Sequence, residues 1–168
     1  MEERNGVVTF AGKPATLLGP EIKVGDQAPD FTVVDNGLNA KTLKDFEGVK
    51  LISVVPSLDT PVCDAQTRRF NEEAAKLNAT VLTISADLPF AQKRWCGAAG
   101  IDKVVTLSDY QTMSFGSAYG TYLKDLRLEA RAIFVVNSKN EVTYVEYVKE
   151  VTDHPNYEKA IEAVKAAQ

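Results

Sequence analysis

Cys63 is the residue best placed for nucleophilic chemistry. It ends the stretch Pro56-Ser57-Leu58-Asp59-Thr60-Pro61-Val62-Cys63, which joins the apolar run Leu51 to Val55 to a helical pattern starting at Pro61. The first N–H groups of a helix lack intrahelical partners and the macrodipole is positive there, so a helix start accommodates negative charge. A cysteine can use that environment, because its thiolate and not its thiol is the nucleophile. An unperturbed thiol has a pKa of about 8.5 and is mostly protonated at neutral pH. A helix terminus contributes about 0.3 to 1 kcal/mol, up to about 2 when partly buried, against about 1.4 kcal/mol per pKa unit. The dipole alone falls short, and Asp59 and Asp64 beside the site oppose it unless their carboxylates point elsewhere.

A reactive Cys63 therefore requires a cation from a distant part of the chain. Arg131, immediately before the apolar run Ala132 to Val136, is the candidate. Its fork of donors could serve both the sulfur and an oxygen bonded to it; the plainer role is a solvated arginine at a strand end. Thr60 offers a hydroxyl for a substrate oxygen, for capping the helix, or for both. Pro56 and Pro61 stiffen the approach, and a proline at the first helical position has no N–H bond to lose.

Other chemistries are poorly supplied. Two cysteines and one histidine cannot fill a zinc site of the usual four ligands. The lone His154 is far from Cys63 in sequence and beside a proline, which disfavours a Cys-His or Ser-His-Asp hydrolase. There is no Cys-x-x-Cys pair for a dithiol exchanger. The net charge of −4, with no block of like charges, gives no footprint for nucleic acid or an anionic membrane. No apolar run reaches the roughly 18 residues of a membrane span and the amino terminus is not signal-like, so the expected location is cytoplasmic.

The elements that must position Cys63 follow from periodicity. Leu51 to Val55, Val81 to Ala86 and Ala132 to Val136 are near-continuous apolar runs, the pattern of strands covered on both faces, and are expected at the centre of a sheet. Between the first two, Cys63, Phe70, Ala74 and Leu77 form a helical stripe, predicting a helix over 61–77. A second helix is expected from about Pro89 to Ala99, stopped by Gly100, followed by a strand over Val104 to Leu107. Val7 to Phe10 and Ala15 to Leu18 read as an amino-terminal hairpin, and Phe31 to Asp35 as a strand turned by Asn36-Gly37. A second hairpin, Ala132 to Val136 with Val142 to Val148, precedes a closing helix from Pro155 to about Ala167. With 168 residues, enough to bury roughly 70% of the unfolded surface, the chain is expected to be one α/β domain, residues 1–168. Its element order suggests a thioredoxin-like mixed sheet with helices on both faces.

Pro56-x-x-x-Thr60-x-x-Cys63 resembles the active-site motif of peroxiredoxins. Val55 to Asp64 (VPSLDTPVCD), Ser85 to Cys96 (SADLPFAQKRWC), Ala130-Arg131-Ala132 and Asp153 to Tyr157 are similar to the bacterial thiol peroxidase subfamily, and the likeness spans nearly the whole chain. Many relatives have glycine where this chain has Pro61. The resemblance implies reduction of hydrogen peroxide and alkyl hydroperoxides without metal, haem or flavin. It makes Cys63 the peroxidatic cysteine and Cys96 the resolving one, joined in a Cys63–Cys96 disulfide that thioredoxin reduces. Thr60, Arg131 and the backbone N–H groups around Val62 would hold the peroxide, and a homodimer is common among relatives.

The resolving step constrains the fold. Cys96 lies inside its helix, roughly 12 Å from the start at about 1.5 Å per residue, whereas a disulfide needs Cα atoms within about 7 Å. Local unwinding is expected around Cys63 and from Arg94 to Gly97. Lys93, Arg94 and Trp95 could meet thioredoxin, or could be two solvated cations and an interfacial tryptophan. Phe90, Phe115 and Tyr119 could wall the pocket or a dimer contact, or simply pack in the core. A thioredoxin-like redox sensor that relays its disulfide to a partner would use the same residues as the peroxidase.

Overall fold

The structure is a computed structural model that describes residues 1–168. In chain order the elements are β1 (Glu3–Phe10), β2 (Lys13–Leu18), β3 (Thr32–Val34), β4 (Ala40–Thr42), β5 (Lys50–Val54), α1 (Pro61–Ala74), β6 (Thr80–Ser85), α2 (Pro89–Ala99) and β7 (Val105–Ser108). There follow α3 (Ser114–Tyr119), β8 (Tyr122–Leu123), β9 (Leu128–Glu129), β10 (Ala132–Val136), β11 (Val142–Tyr147) and α4 (Tyr157–Ala167). The three apolar runs become β5, β6 and β10 and lie side by side in a seven-stranded sheet of order β11-β10-β5-β6-β7-β3-β4. Strands β5, β6 and β7 are parallel, as strand-helix-strand units require. The flanking strands run antiparallel, making a mixed sheet of the thioredoxin-like type.

Alternation along each central strand explains the two layers of core. Leu51, Val81, Ile133 and Val135 face Phe70 of α1 and Ala160 and Val164 of α4. Ile52, Val54, Leu82, Ile84 and Phe134 face the opposite way, onto Phe115 and Tyr119 of α3. Both faces are covered, so these strands have no polar side to show water. Phe115 and Tyr119 stack at 4.2 Å between ring centroids and belong to this core.

Two features depart from the sequence expectation. Helix α1 ends at Ala74; Leu77 still reaches the core, from a tighter turn in which its N–H bonds to the Ala74 carbonyl three residues back. The amino-terminal hairpin also does not stand alone. β2 pairs with β8 and β8 with β9, giving a second sheet of four strands from a region, 108–130, with no clear apolar period.

One register relation positions the site. β10 runs antiparallel to β5 with Ala132 opposite Val54. The residue before β10 must therefore lie beside the residues that follow β5. That places Arg131 next to the Pro56–Cys63 loop.

Candidate active site

Thr60 is the N-cap of α1, with extended backbone angles, and Pro61 is the first helical residue. The helical ladder opens with the Asp64 N–H donating to the Thr60 carbonyl at 2.9 Å, so the N–H groups of Val62 and Cys63 precede it. Thr60 makes no side-chain cap. Its hydroxyl instead donates to the Ser57 carbonyl at 2.9 Å, which leaves the oxygen's lone pairs able to accept.

The loop before the helix is tied to the end of the neighbouring strand β6 by Asp87. Its carboxylate accepts from the Ser57 hydroxyl at 2.7 Å, the Leu58 N–H at 2.9 Å and the Ser85 hydroxyl at 2.7 Å. Of the two acids flanking the cysteine, Asp64 turns to Arg68, 2.6 Å away, and Asp59 is exposed. One is thus paired with a cation and the other faces solvent, which weakens the opposition that the sequence alone suggests.

Cys63 is fully buried in a small cluster with Val55 and Leu58, against which Trp95 packs. Arg131, 2% exposed, sends one donor from each nitrogen to a separate anchor. Nε donates to the Val151 carbonyl at 2.7 Å, Nη1 to Gln66 Oε1 at 2.8 Å, and Nη2 to Cys63 Sγ at 3.2 Å. Gln66 in turn donates to the Ser53 hydroxyl at 2.7 Å. A buried guanidinium is tolerated only when its donors are met, and here the acceptors aim it at the sulfur. A guanidinium has five N–H groups, so one on each terminal nitrogen remains for a substrate oxygen. Gln66 was not singled out from the sequence. It falls three residues after Cys63 on the same helical face, the spacing that brings side chains together on one side of a helix.

A pocket of about 110 Å³ opens at this point, walled by Pro56, Thr60, Pro61 and Val62 from the loop and helix start, and by Arg131. Pro56, Thr60, Val62 and Arg131, drawn from two distant segments, thus share one cavity beside Cys63. Its outer wall was not foreseen: Phe10 from the hairpin and Val151 and Thr152 from the loop after β11. Glu150 fastens the two together, accepting from Thr9 Oγ1, the Gly12 N–H and the Thr152 N–H and hydroxyl at 2.7–2.9 Å. The Thr152 N–H and hydroxyl, then the Gly12 N–H, lower the Glu150 carboxyl to about 2.

Cys96 lies in the eighth position of α2, unpaired like Cys63. Its sulfur is 3.6 Å from Thr106 Oγ1 on β7, and the helix around it is fully wound. Gly100 ends that helix as read from the sequence, with φ of +68°, a left-handed conformation that glycine adopts without strain. Phe90, Lys93 and Arg94 are exposed, and Trp95 is half-buried. His154 contacts the Tyr157 hydroxyl at 2.7 Å ahead of α4 and takes no part in the pocket.

The arrangement presents a buried sulfur with a cationic donor, two helix-start N–H groups, an accepting hydroxyl and a small cavity, which suits attack on a small polarisable bond. The Redoxin family model matches residues 23–161. The thiol peroxidase of Bacillus subtilis (strain 168) is 66% identical over 95% of this chain and 96% of its own length. That of Staphylococcus aureus (strain MRSA252) is 58% identical over 94% and 97%. The crystal structure of a peroxiredoxin-like protein from Aquifex aeolicus has a TM-score of 0.90 at 40% identity, covering 98% of both chains. A thiol peroxidase from Chromobacterium violaceum, at 22% identity, shares the fold with a TM-score of 0.84 over 95% of both chains. With its fold and with relatives this similar along almost its whole length, the chain belongs to the Redoxin family and, within it, to the peroxiredoxin-type thiol peroxidases.

Proposed function

We propose that this thiol peroxidase, acting as one domain over residues 1–168, reduces hydrogen peroxide and alkyl hydroperoxides at Cys63, resolves the product with Cys96, and is recycled by thioredoxin. The observation that carries this reading is the Arg131 donor 3.2 Å from the buried Cys63 sulfur, at a pocket that Thr60 and Val62 also line. The hydroperoxide enters with its O–H toward the Thr60 oxygen and its oxygens toward Arg131 and the Val62 and Cys63 N–H groups. The Cys63 thiolate attacks the terminal oxygen. An S–O bond forms as the O–O bond breaks, sulfur supplies the electron pair, and the leaving alkoxide or hydroxide takes up a proton. Charge moves from sulfur to the departing oxygen, so donors already aimed at both atoms stabilise the transition state without reorganising.

The product is a Cys63 sulfenic acid. The Cys96 sulfur then attacks the Cys63 sulfur; the S–S bond forms, the S–O bond breaks, and hydroxide leaves as water with the thiol proton. Both helices are wound in this structure, so this step uses an opened form of each. The dithiol of thioredoxin reduces the disulfide by two exchanges. The resemblance further supports a homodimer, and the sequence reading a cytoplasmic location. No helix is long and apolar enough to cross a membrane.

Peroxide consumption with thioredoxin, its reductase and NADPH tests the scheme in wild type, Cys63→Ser and Cys96→Ser. Cys63→Ser is expected to be inactive, and retained turnover there would eliminate the proposal. Cys96→Ser is expected to be oxidised once, to the sulfenic acid, without recycling; steady turnover would reassign resolution to another thiol. Light scattering at micromolar concentration reads the mass expected of a dimer.

A further inference from the structure

Trp95, and not its neighbour Cys96, is turned toward the cluster that holds Cys63. Val55, Leu58 and Cys63 form a small buried cluster, and Trp95 packs against it. Successive residues of an α-helix are about 100° apart around its axis, so a helix that turns Trp95 toward Cys63 turns Cys96 away. Cys96 meets Thr106 on β7 instead. The wound arrangement and the one that joins the two sulfurs are therefore mutually exclusive. Trp95 must leave before Cys96 can arrive.

Arg68 holds Trp95 where it is. Its Nε donates to Asp64 at 2.6 Å, its guanidinium carbon lies 5.8 Å from the centre of the Trp95 ring, and Nη1 donates to the Ala99 carbonyl at 3.4 Å. Asp64 immediately follows Cys63, Trp95 immediately precedes Cys96, and Ala99 is the last residue of α2, whose carbonyl has no partner in its own helix. One side chain thus spans both segments that have to open. A cation at a helix C-terminus and over an indole face is favourable on both counts.

We propose that Arg68 is a clamp between α1 and α2, a positioning residue that sets how fast Cys96 reaches oxidised Cys63. The proposal rests on the reading that Cys96 is the resolving cysteine. Arg68 and Asp64 are 48% and 38% exposed, and exposed ion pairs and cation–ring contacts are weak. Weakness fits a contact released in every cycle. While the clamp is closed, the sulfenic acid stays in the wound pocket and meets a second hydroperoxide. The sulfenate sulfur then attacks that peroxide; a second S–O bond forms, the O–O bond breaks, the expelled alkoxide or hydroxide leaves as alcohol or water, and the product is a sulfinic acid that Cys96 does not resolve. The clamp divides oxidised Cys63 between disulfide and sulfinic acid.

Arg68→Lys is the informative variant. A lysine still pairs with Asp64 one turn away but gives up the planar fork that reaches Ala99 and stacks on the indole. Trp95 is the only tryptophan, so its fluorescence reports its withdrawal. Reduced full-length protein is mixed with hydrogen peroxide in a stopped-flow instrument, and products are assigned by mass. The peroxide-dependent phase is expected to match wild type. The later, peroxide-independent phase is expected to be about two- to fivefold faster, the worth of one exposed cation–ring contact, and the sulfinic fraction at high peroxide to fall accordingly. A resolution rate and sulfinic yield equal to wild type would overturn the clamp and leave the disulfide scheme standing. A wild-type protein that forms no Cys63–Cys96 disulfide would overturn both.

Discussion

Arg131 Nη2 donates to Cys63 Sγ across 3.2 Å, although 68 residues separate the two in the chain. The contact exists because β10 runs antiparallel to β5, so the start of one strand meets the end of the other. Arg131→Lys keeps the charge but cannot reach Val151, Gln66 and the sulfur at once. Removal of one preorganised donor lowers a rate about 10²- to 10³-fold. The second-order rate constant for the first oxidation of Cys63, measured by stopped flow, is expected to fall by that much. A fall below threefold would remove Arg131 from the reaction.

Gln66 carries no charge and touches no substrate, yet it aims the guanidinium. Gln66→Leu strands the Arg131 Nη1 donor and the Ser53 hydroxyl in a dry interior. Each unmet buried polar group costs about 1 to 3 kcal/mol. Urea denaturation is expected to show that loss, and peroxide reactivity to drop with it. Gln66→Glu, which keeps the acceptor for Arg131, is expected to retain stability better than Gln66→Leu. The opposite ranking would mean that the contact is incidental.

Thr60 has spent its proton on the Ser57 carbonyl, so toward substrate it can only accept. Thr60→Ser preserves that arrangement and is expected to stay within a few-fold of wild type. Thr60→Val loses it. A hydrogen bond between neutral groups is worth about 0.5 to 1.5 kcal/mol, so Thr60→Val is expected to react with peroxide about three- to tenfold more slowly. Equal rates for the serine and valine variants would show that the hydroxyl serves only the loop.

Away from the pocket, Glu129 predicts a pH dependence of stability. It is fully buried, accepts from the Thr121 hydroxyl at 2.6 Å, and its other oxygen has no partner. Burial first, and then the neighbouring Asp109 carboxyl, push its pKa well above the ordinary 4.5. The folded state therefore holds a proton that the unfolded state releases above about pH 4.5. Stability from this group is complete below that value and declines as pH rises toward the folded-state pKa. Glu129→Gln mimics the protonated acid. It is expected to be more stable than wild type at neutral pH, with the gap closing below about pH 4.5 in thermal melts. A gap that widens on acidification would refute the assignment.

Much of the site is legible in the sequence, for a local reason. Continuous apolar runs of β5, β6 and β10 mark strands covered on both faces. Thr60-Pro61 marks a helix start and Gly100 a helix stop, because each acts on the backbone within one turn. Cys63 at the top of α1 follows directly. The expectation of a remote cation rests on the weakness of a helix terminus, and Arg131 Nη2 stands 3.2 Å from the sulfur.

The remainder depends on how distant segments register against one another, and no local pattern encodes that. Phe10 reads as an ordinary hairpin residue until Glu150 pins the hairpin to the loop that carries Val151 and Thr152. Strands β8 and β9, two residues each, are too short to show a period and exist because β2 offers them an edge. Arg131 could be named as the cation, but only the fold shows that one guanidinium divides itself among Val151, Gln66 and Cys63. Which of two adjacent residues, Trp95 or Cys96, packs against the cluster that holds Cys63 is likewise a question of how α2 is rotated on the sheet. The sequence by itself determined where Cys63 stands, in the first turn of a helix that follows a buried strand, because that is set by neighbours in the chain. Tertiary structure alone decided its partners, its walls and the direction in which the second cysteine points, because those are set by neighbours in space.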